Sequence, residues 1–296
     1  DDENGAFFTI EGNLFDHADG EGAEIISLKS NHNLVAHNTV IATRGCINIR
    51  RGNFNTIKEN IILGQGVKGA LGYRMTGEHN LIQGNFASGC EYGIEVSCGE
   101  FIGDTLTPRY QPTMKGVGTK PVPTRVPFYP QNREVTLVDN VMVGNSGPDL
   151  NIGSSYKGSG NNRWPEFQQV LLPEECLIKN NRFVRPRGGE SVVGTIPDTT
   201  PPLDRFKFKP NHYEGNVLVG GKNAFAPAAG GFSVREIPAG WSEAQEMAGL
   251  KPLTPDDVGP AWLVAMRKAG DSSLERTAMS DGAAKAAGRK NPAGDP

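Results

Sequence analysis

The sequence is poor in several features that mark common protein classes. Its four cysteines include no CxxC pair, which argues against a structural zinc site. No apolar run approaches the roughly 18–20 residues that span a bilayer. The net charge of −3 argues against a nucleic-acid-binding protein of the usual basic type. With 37% hydrophobic and 7% aromatic residues, but 38 Gly and 21 Pro, the composition favours a turn-rich all-β chain.

Cysteine usage leaves two readings of the redox compartment open. Cys90 and Cys98 flank EYGIEVS and are candidates for a disulfide in an exported protein, whereas free and buried thiols are the alternative. No secretory signal is visible at DDENGAFF, and a mature chain would have lost one.

The chain contains a short repeat in which an asparagine closes each copy. NLVAHN, NTIKEN and NLIQGN end at Asn38, Asn60 and Asn85, which are 22 and 25 residues apart. Degenerate copies end at four further asparagines: Asn13, Asn140, Asn180 and Asn216. Asparagine suits a tight corner, where it tolerates left-handed geometry and can form a side-chain ladder. This period predicts a solenoid.

A second strand recurs in step with the asparagines. ISLK, INIR, LGYR and IEVS end at Lys29, Arg50, Arg74 and Ser97, and their apolar residues alternate as on a strand with one buried face. The pairs predicted to point inward are Ile26 and Leu28, Ile47 and Ile49, Leu71 and Tyr73, and Ile94 and Val96. A period of 20–25 residues with short strands and no helix predicts a parallel β-helix. The LxxLxLxxN spacing of leucine-rich repeats is absent.

Two regions depart from the repeat within a predicted β-helix domain of residues 1–253. Residues 101–132 are rich in proline and predict a long loop excursion. Residues 254–270 predict a short C-terminal helix that covers the last turn, with Thr254 as N-cap and Pro255 in the first turn. Residues 271–296 are small and polar, which predicts a flexible tail.

The repeat would stack Lys29, Arg50 and Arg74 in one outward column, with Arg51 beside it. Like charges about 5 Å apart repel unless anions lie between them, so the column favours an extended polyanion as partner. The alternative is a solvated face neutralised by nearby carboxylates. Just upstream, DHADGEGAE holds closely spaced carboxylates of the kind that bind Ca²⁺.

Together these groups suit β-elimination on a uronic acid polymer. A cation neutralises the uronate carboxylate and makes the adjacent C5 proton more acidic. A lysine whose neutral form is favoured by neighbouring arginines can take that proton. A second cationic donor can protonate or stabilise the departing glycosidic oxygen.

The sequence resembles polysaccharide lyase family 6, the alginate lyases and chondroitinase B, at five stretches: EIISLKS, GNLF, GCINIRRG, GYRMTGEHNLIQGN and LTPDDVGPAWL. The resemblance implies a right-handed parallel β-helix and Ca²⁺ as cofactor. By position, Lys29 matches the family's catalytic base and Arg50 its catalytic arginine, the presumed acid. Glu24 matches a calcium ligand, and Glu21 is a second candidate that lies one residue further away than the family's pattern expects.

Four residues are candidates for binding the polysaccharide. Arg74 matches an arginine that contacts substrate carboxylate, and Arg51 stands where family members often carry histidine. Tyr156 and Lys157 are further candidates, and Arg109 and Arg163 would favour a sulfated substrate. The family carries additional β-helix turns before this region, one of which supplies an asparagine calcium ligand. We therefore expect a missing N-terminal segment or a second chain to complete the β-helix.

The sequence thus predicts a secreted or periplasmic lyase that cleaves alginate by calcium-assisted β-elimination. Dermatan sulfate is the alternative substrate. A non-catalytic polysaccharide-binding β-helix, or half of a split enzyme, is the alternative class. A glycoside hydrolase would need paired carboxylates at the cleft, where the chain instead offers cations and Glu95.

Overall fold

A computed structural model describes residues 5–19, 21–101, 128–157, 169–201, 203–247 and 249–270. Most of the predicted excursion 101–132 and all of the predicted tail 271–296 lie outside these residues, so both stay predictions. The chain divides into two compact units, Asp1–Pro252 and Leu253–Pro296.

The first unit consists of three parallel sheets and one short antiparallel pair. Sheet 1 contains β1 (Thr9–Glu11), β4 (Leu34–Ala36), β7 (Thr56–Lys58), β10 (Leu81–Gln83), β14 (Thr136–Val138), β18 (Leu177–Lys179) and β21 (His212–Glu214). Sheet 2 contains β2 (Leu14–Asp16), β5 (Thr39–Ile41), β8 (Ile61–Leu63), β11 (Phe86–Ser88), β15 (Val141–Val143), β19 (Arg182–Val184), β22 (Asn216–Val219) and β24 (Phe232–Arg235). Sheet 3 contains β3 (Glu24–Leu28), β6 (Gly45–Ile49), β9 (Ala70–Met75), β12 (Ile94–Ser97), β16 (Leu150–Ser154), β20 (Glu190–Gly194) and β23 (Lys222–Asn223). The antiparallel pair is β13 (Gly99–Glu100) with β17 (Gln169–Leu171).

Successive turns of the chain each contribute one strand to each of the three sheets. Consecutive strands within a sheet come from consecutive turns and pair in parallel, so each turn stacks about 4.8 Å from the next. The predicted parallel β-helix is therefore confirmed. At one end, β1, β2 and β3 pair on one side only within the described residues. The segment or second chain expected to complete this end stays a prediction.

Inward apolar side chains form ladders along the axis. In sheet 3, one ladder is Ile26, Ile47, Tyr73, Ile94, Leu150 and Val192. All six are buried, and burying one such side chain contributes roughly 1.5–3 kcal/mol. The Tyr73 hydroxyl, which is buried with its ring, donates to the backbone oxygens of Asn60 and Phe86. The apolar residues that alternate in the sequence therefore form the core of the β-helix.

The predicted asparagine ladder is present, with one correction. Each side-chain amide donates to the next asparagine's Oδ1 at 2.9–3.0 Å, through Asn13, Asn38, Asn60, Asn85, Asn140, Asn181 and Asn216. The prediction of Asn180 was wrong by one residue. Asn180 adopts φ +55°, which is the left-handed corner position. His37 and Glu59 hold the same position in other turns, each immediately before its ladder asparagine. The asparagine that follows the corner forms the ladder.

The third cation lies outside the predicted column. Leu28 pairs with Ile49, and Ile49 pairs with Met75. The register between β6 and β9 shifts by one residue after Gly45, and Arg74 lies opposite Asn48 rather than Arg50. Gly45 has φ +100°, and a Cβ there would lie 2.9 Å from the Glu24 nitrogen. The inward pair in this turn is accordingly Tyr73 and Met75, not Leu71 and Tyr73.

The remaining elements are short helices. Two 3₁₀ helices, Leu203–Arg205 and Ala226–Gly231, precede β21 and β24 in the chain, and α1 (Glu243–Glu246) follows β24. In the second unit, α2 (Ala261–Lys268) begins after Pro260, so the prediction of Thr254 as N-cap was wrong. The Thr254 hydroxyl instead donates to Asp257 Oδ2 in a turn, and Gly259 at φ +108° separates that turn from α2. That α2 caps the last turn stays a prediction.

Two further sequence expectations concern the cysteines and membranes. All four cysteines fall within the described residues and are free and buried, so Cys90 and Cys98 are not bridged. Neither α-helix in the described part of the chain is long and apolar enough to cross a bilayer.

Candidate active site

The structure places Lys29 and Arg50 at equivalent positions on neighbouring strands of sheet 3. Both follow the paired residues Leu28 and Ile49, and the Arg50 nitrogen donates to the Leu28 oxygen at 3.0 Å. The 21-residue offset is therefore one turn of the β-helix. Lys29 is exposed, and it forms no ion pair within the described residues. Its amine is available to a ligand on this face.

A buried carboxylate, Glu24, lies at the centre of the cluster. Its Oε1 accepts from Asn48 Nδ2 at 2.6 Å and from Arg74 Nη2 at 3.0 Å. Arg50 Nη1 is 3.9 Å from the same oxygen, which is the outer range of an ion pair. The Glu24 side chain is 3% exposed, against 31% for Arg50 and 25% for Arg74. Although Arg74 is out of register with Arg50, the two guanidinium groups converge on one anchor.

Burial, hydrogen bonds and charges together shift the pKa of both carboxylates in this cluster. Burial would raise the pKa of Glu24, but hydrogen bonds from neighbouring side chains, and then the charges of Arg50 and Arg74, lower it below its ordinary value. Burial raises the pKa of Glu95, which lies opposite Arg74 on β12, and the charge of Arg74 opposes that rise only in part. Glu24 is thus the anion that relieves the repulsion between two of the arginines.

Four cations and two carboxylates share this face: Lys29, Arg50, Arg51 and Arg74 with Glu24 and Glu95. Neither Lys29 nor Arg51 has a carboxylate within ion-pair distance in the described part of the chain. The alternative of a fully neutralised face therefore does not describe this surface. Glu24 is too buried to act with Glu95 as the exposed carboxylate pair of a glycoside hydrolase.

Three residues of the site were missed by the sequence analysis. The Tyr129 hydroxyl accepts from Arg50 Nη2 at 3.4 Å, and its ring centroid is 5.4 Å from the guanidinium carbon. The Phe128 ring lies at the same distance from the Arg51 guanidinium carbon. No repeat marks these aromatic residues, which end the excursion. The alternating strand pattern could have identified Asn48, because it is the outward residue between the inward residues Ile47 and Ile49.

The other predicted substrate contacts are not brought to this cluster by any contact in the described residues. The Tyr156 hydroxyl accepts from the Asp198 nitrogen at 3.0 Å, and burial raises its pKa. Lys157 is exposed, and its backbone nitrogen donates to the Gln169 oxygen. Arg109 and Arg163 lie outside the described residues.

The residues that the structure describes do not make a complete calcium site. Glu24 Oε2 and Asn48 Oδ1 are buried without hydrogen-bond partners, so two oxygens are free to bind a cation or a water. Glu21, however, is exposed, and no contact joins it to Glu24. The described residues contain no group of three or more His, Cys, Asp or Glu side chains placed to hold a metal. Ca²⁺ takes six to eight oxygens, and two guanidinium groups lie near the carboxylate of Glu24.

The fold and the cation-lined face together define a class: a parallel β-helix whose third sheet carries a cluster of cations. A family model described as Chondroitinase B matches residues 4–92. The solved structure of the family 6 polysaccharide lyase Pedsa3628 from Pseudopedobacter saltans is 36% identical, with a TM-score of 0.67. That match covers 87% of this chain and 55% of Pedsa3628, so the chain spans about half the length of this protein.

Two more distant structures share the fold. The family 6 alginate lyase AlyGC is 21% identical with a TM-score of 0.61, over 86% of this chain and 32% of AlyGC. A mannuronic acid specific family 6 lyase from human gut microbiota is 19% identical with a TM-score of 0.56, over 88% of this chain and 51% of its own. A search among curated proteins found no match. The predicted resemblance is confirmed: the chain is a relative of the family 6 polysaccharide lyases.

Proposed function

We propose that this chain carries the catalytic face of a polysaccharide lyase that cleaves alginate by β-elimination. The observation that carries the proposal is the convergence of Arg50 and Arg74 on buried Glu24, with Lys29 in register beside Arg50. The similarity to Pedsa3628 supports the reaction class. Three more distant matches support the choice of alginate: AlyGC, the mannuronic acid specific lyase and a family 6 alginate lyase in complex with a trisaccharide.

The proposed reaction uses groups of this chain alone. Arg74, anchored on Glu24, and Arg51 bind the uronate carboxylate, which makes the C5 proton more acidic. The neutral amine of Lys29 takes that proton. The electron pair of the C5–H bond forms the C4–C5 double bond as the bond from C4 to the glycosidic oxygen breaks. Arg50 donates a proton to the departing oxygen, which leaves as a hydroxyl. Solvent then returns a proton to the guanidinium group and takes the C5 proton from Lys29, so both groups regain their starting state.

Calcium assistance, secretion and the contributions of Tyr156 and Lys157 stay predictions. No step above is assigned to calcium, because the described residues contain no group of three or more His, Cys, Asp or Glu side chains placed to hold a metal. The proposed partner is an anionic polysaccharide, since unpaired cations outnumber unpaired carboxylates on this face.

A substrate panel tests the proposal. The 296-residue chain is incubated with polymannuronate, polyguluronate, native alginate and dermatan sulfate, and the ultraviolet absorbance of unsaturated uronate is followed. We expect product from at least one alginate polymer, with an unsaturated residue at the new non-reducing end identified by mass spectrometry. Product from dermatan sulfate alone would show that dermatan sulfate, and not alginate, is the substrate. Binding of alginate without product from any polymer would show that the chain is a polysaccharide-binding module rather than a lyase.

A further inference from the structure

The chain returns from its excursion directly over the arginines of the site. The Phe128 nitrogen donates to Glu100 Oε2 at 2.8 Å, and the Glu100 nitrogen donates to the Tyr129 oxygen at 2.7 Å. Two residues further on, Gln131 Nε2 donates to the Leu172 oxygen, and Asn132 Nδ2 donates to the oxygens of Met75 and Ser97. This return segment, residues 128–132, is thus fixed to sheet 3 and to β13 by hydrogen bonds that each involve at least one main-chain atom.

The fixed segment places one aromatic ring against each of two adjacent arginines. Tyr129 lies over Arg50 and Phe128 over Arg51, both with 5.4 Å between ring centroid and guanidinium carbon. This distance is within the range of a cation–π contact. Stacking occupies a face of the guanidinium group and leaves the N–H donors at its edge for a ligand.

Glu24 alone does not orient Arg50. Its Oε1 is 3.0 Å from Arg74 Nη2 but 3.9 Å from Arg50 Nη1, so the short contact belongs to Arg74. Arg50 carries five N–H donors on a long side chain that is 31% exposed. The second described contact that limits its rotation is the ring and hydroxyl of Tyr129.

We propose that Tyr129 is the positioning residue for Arg50, holding the guanidinium group so that its free edge meets the departing glycosidic oxygen. Tyr129 acts through Arg50 rather than on the substrate itself. This inference rests on the proposed lyase function for its kinetic consequence, but the position of Arg50 can be measured without turnover.

Kinetics of Tyr129→Leu and Tyr129→Phe test the proposal. We expect Tyr129→Leu to lower kcat about tenfold, which corresponds to about 1.4 kcal/mol, with KM changed less than about twofold. Tyr129→Phe keeps the stacked ring and is expected to lose less than about threefold. The exposed residue Val234 on β24 provides the control Val234→Ala, which should leave kcat unchanged. A rise in KM with unchanged kcat would instead make Tyr129 a substrate contact and overturn the proposal.

A double-mutant cycle separates positioning from a purely structural role. In an Arg50→Lys background the planar group is gone, so adding Tyr129→Leu should cost less than about twofold in kcat. A further tenfold loss in that background would show that Tyr129 does not act through Arg50. A lowered unfolding temperature with unchanged kcat for Tyr129→Leu would also overturn the proposal.

A spectroscopic measurement covers the case in which the chain makes no product. The ring current of Tyr129 should shift the Nε–Hε resonance of Arg50, assigned in ¹H–¹⁵N spectra by its loss in Arg50→Lys. Tyr129→Leu should move this resonance, and Tyr129→Phe should leave it nearly in place. An Arg50 resonance that is the same in the parent and in Tyr129→Leu refutes the inference, whatever the fate of the lyase proposal.

Discussion

Replacing Glu24 by glutamine tests whether the buried carboxylate anchors the two arginines. The substitution keeps the size and an acceptor oxygen but removes the charge. At 3.0 Å and an effective dielectric constant of about 20, the attraction between Glu24 and Arg74 is roughly 5 kcal/mol. Desolvation and side-chain ordering offset much of it, so Glu24→Gln should lower the free energy of unfolding by about 2–3 kcal/mol at neutral pH.

The pH dependence of this effect has a definite sign. The folded-state pKa of Glu24 lies below its ordinary value of about 4.3. The stability from its charge is therefore fully present above about pH 4.3 and is lost as the pH falls through the lower folded-state pKa. The difference in unfolding free energy between the parent and Glu24→Gln should thus be constant near neutral pH and shrink in acid.

Urea unfolding followed by circular dichroism at several pH values measures this difference. A matched control is Glu214→Gln, because Glu214 is 66% exposed and pairs with Lys179 at 3.2 Å. An exposed pair of this kind contributes about 0–1 kcal/mol. If Glu24→Gln proves as stable as Glu214→Gln across the whole pH range, Glu24 is not the anchor of Arg50 and Arg74.

Three further predictions concern the ladders and the metal. Asn60→Ala removes three donated and two accepted hydrogen bonds in the buried ladder and should lower the free energy of unfolding in urea by about 3 kcal/mol. Asn13→Ala, at the exposed end of the ladder, should lower it by under about 1 kcal/mol, and equal losses would contradict the ladder account. Phe54→Ala removes the ring stacked 5.0 Å from His32 and 4.8 Å from His79 and should cost about 1–2 kcal/mol in the same assay, whereas no loss would make the stack incidental. Calorimetric titration of the chelator-treated chain should give a calcium Kd of about 1 mM or weaker, because no three metal-binding side chains converge in the described residues; micromolar binding would show that this ligand count is wrong.

Much of the fold could be predicted because a β-helix repeats its physical requirements in every turn. Each turn needs inward apolar residues at alternate positions and a corner amide, so Ile26, Ile47 and Asn60 recur at a visible period. The same regularity places Lys29 beside Arg50 without any knowledge of loops.

Departures from the period could not be predicted from it. The bulge after Gly45 shifts the pairing of β6 with β9 by one residue, so the spacing from Arg50 to Arg74 does not give their pairing, and Arg74 lies in the row of Asn48. Asn180 and Asn181 are adjacent, so the spacing alone could not decide which one follows the corner. In both cases the repeat unit was identified correctly and the register was not.

Contacts made by the return segment were hidden for a different reason. Tyr129 reaches Arg50 from 79 residues further along the chain, after a segment with no repeat, so no spacing connects them. The role of Glu24 could also be predicted only in part. Its position at the start of EIISLKS predicted a ligand for calcium, whereas the structure shows it bound by Asn48 and Arg74.

The rate of unsaturated product formation from alginate by the parent, Lys29→Ala and Lys68→Ala tests the central claim most directly. Lys68 is exposed and lies outside the cluster, so Lys68→Ala should match the parent. A general base contributes about 10²–10⁴-fold, so Lys29→Ala should lose at least about 100-fold in kcat while still binding alginate. A parent that forms product at the same rate as Lys29→Ala would contradict the assignment of Lys29 as the base.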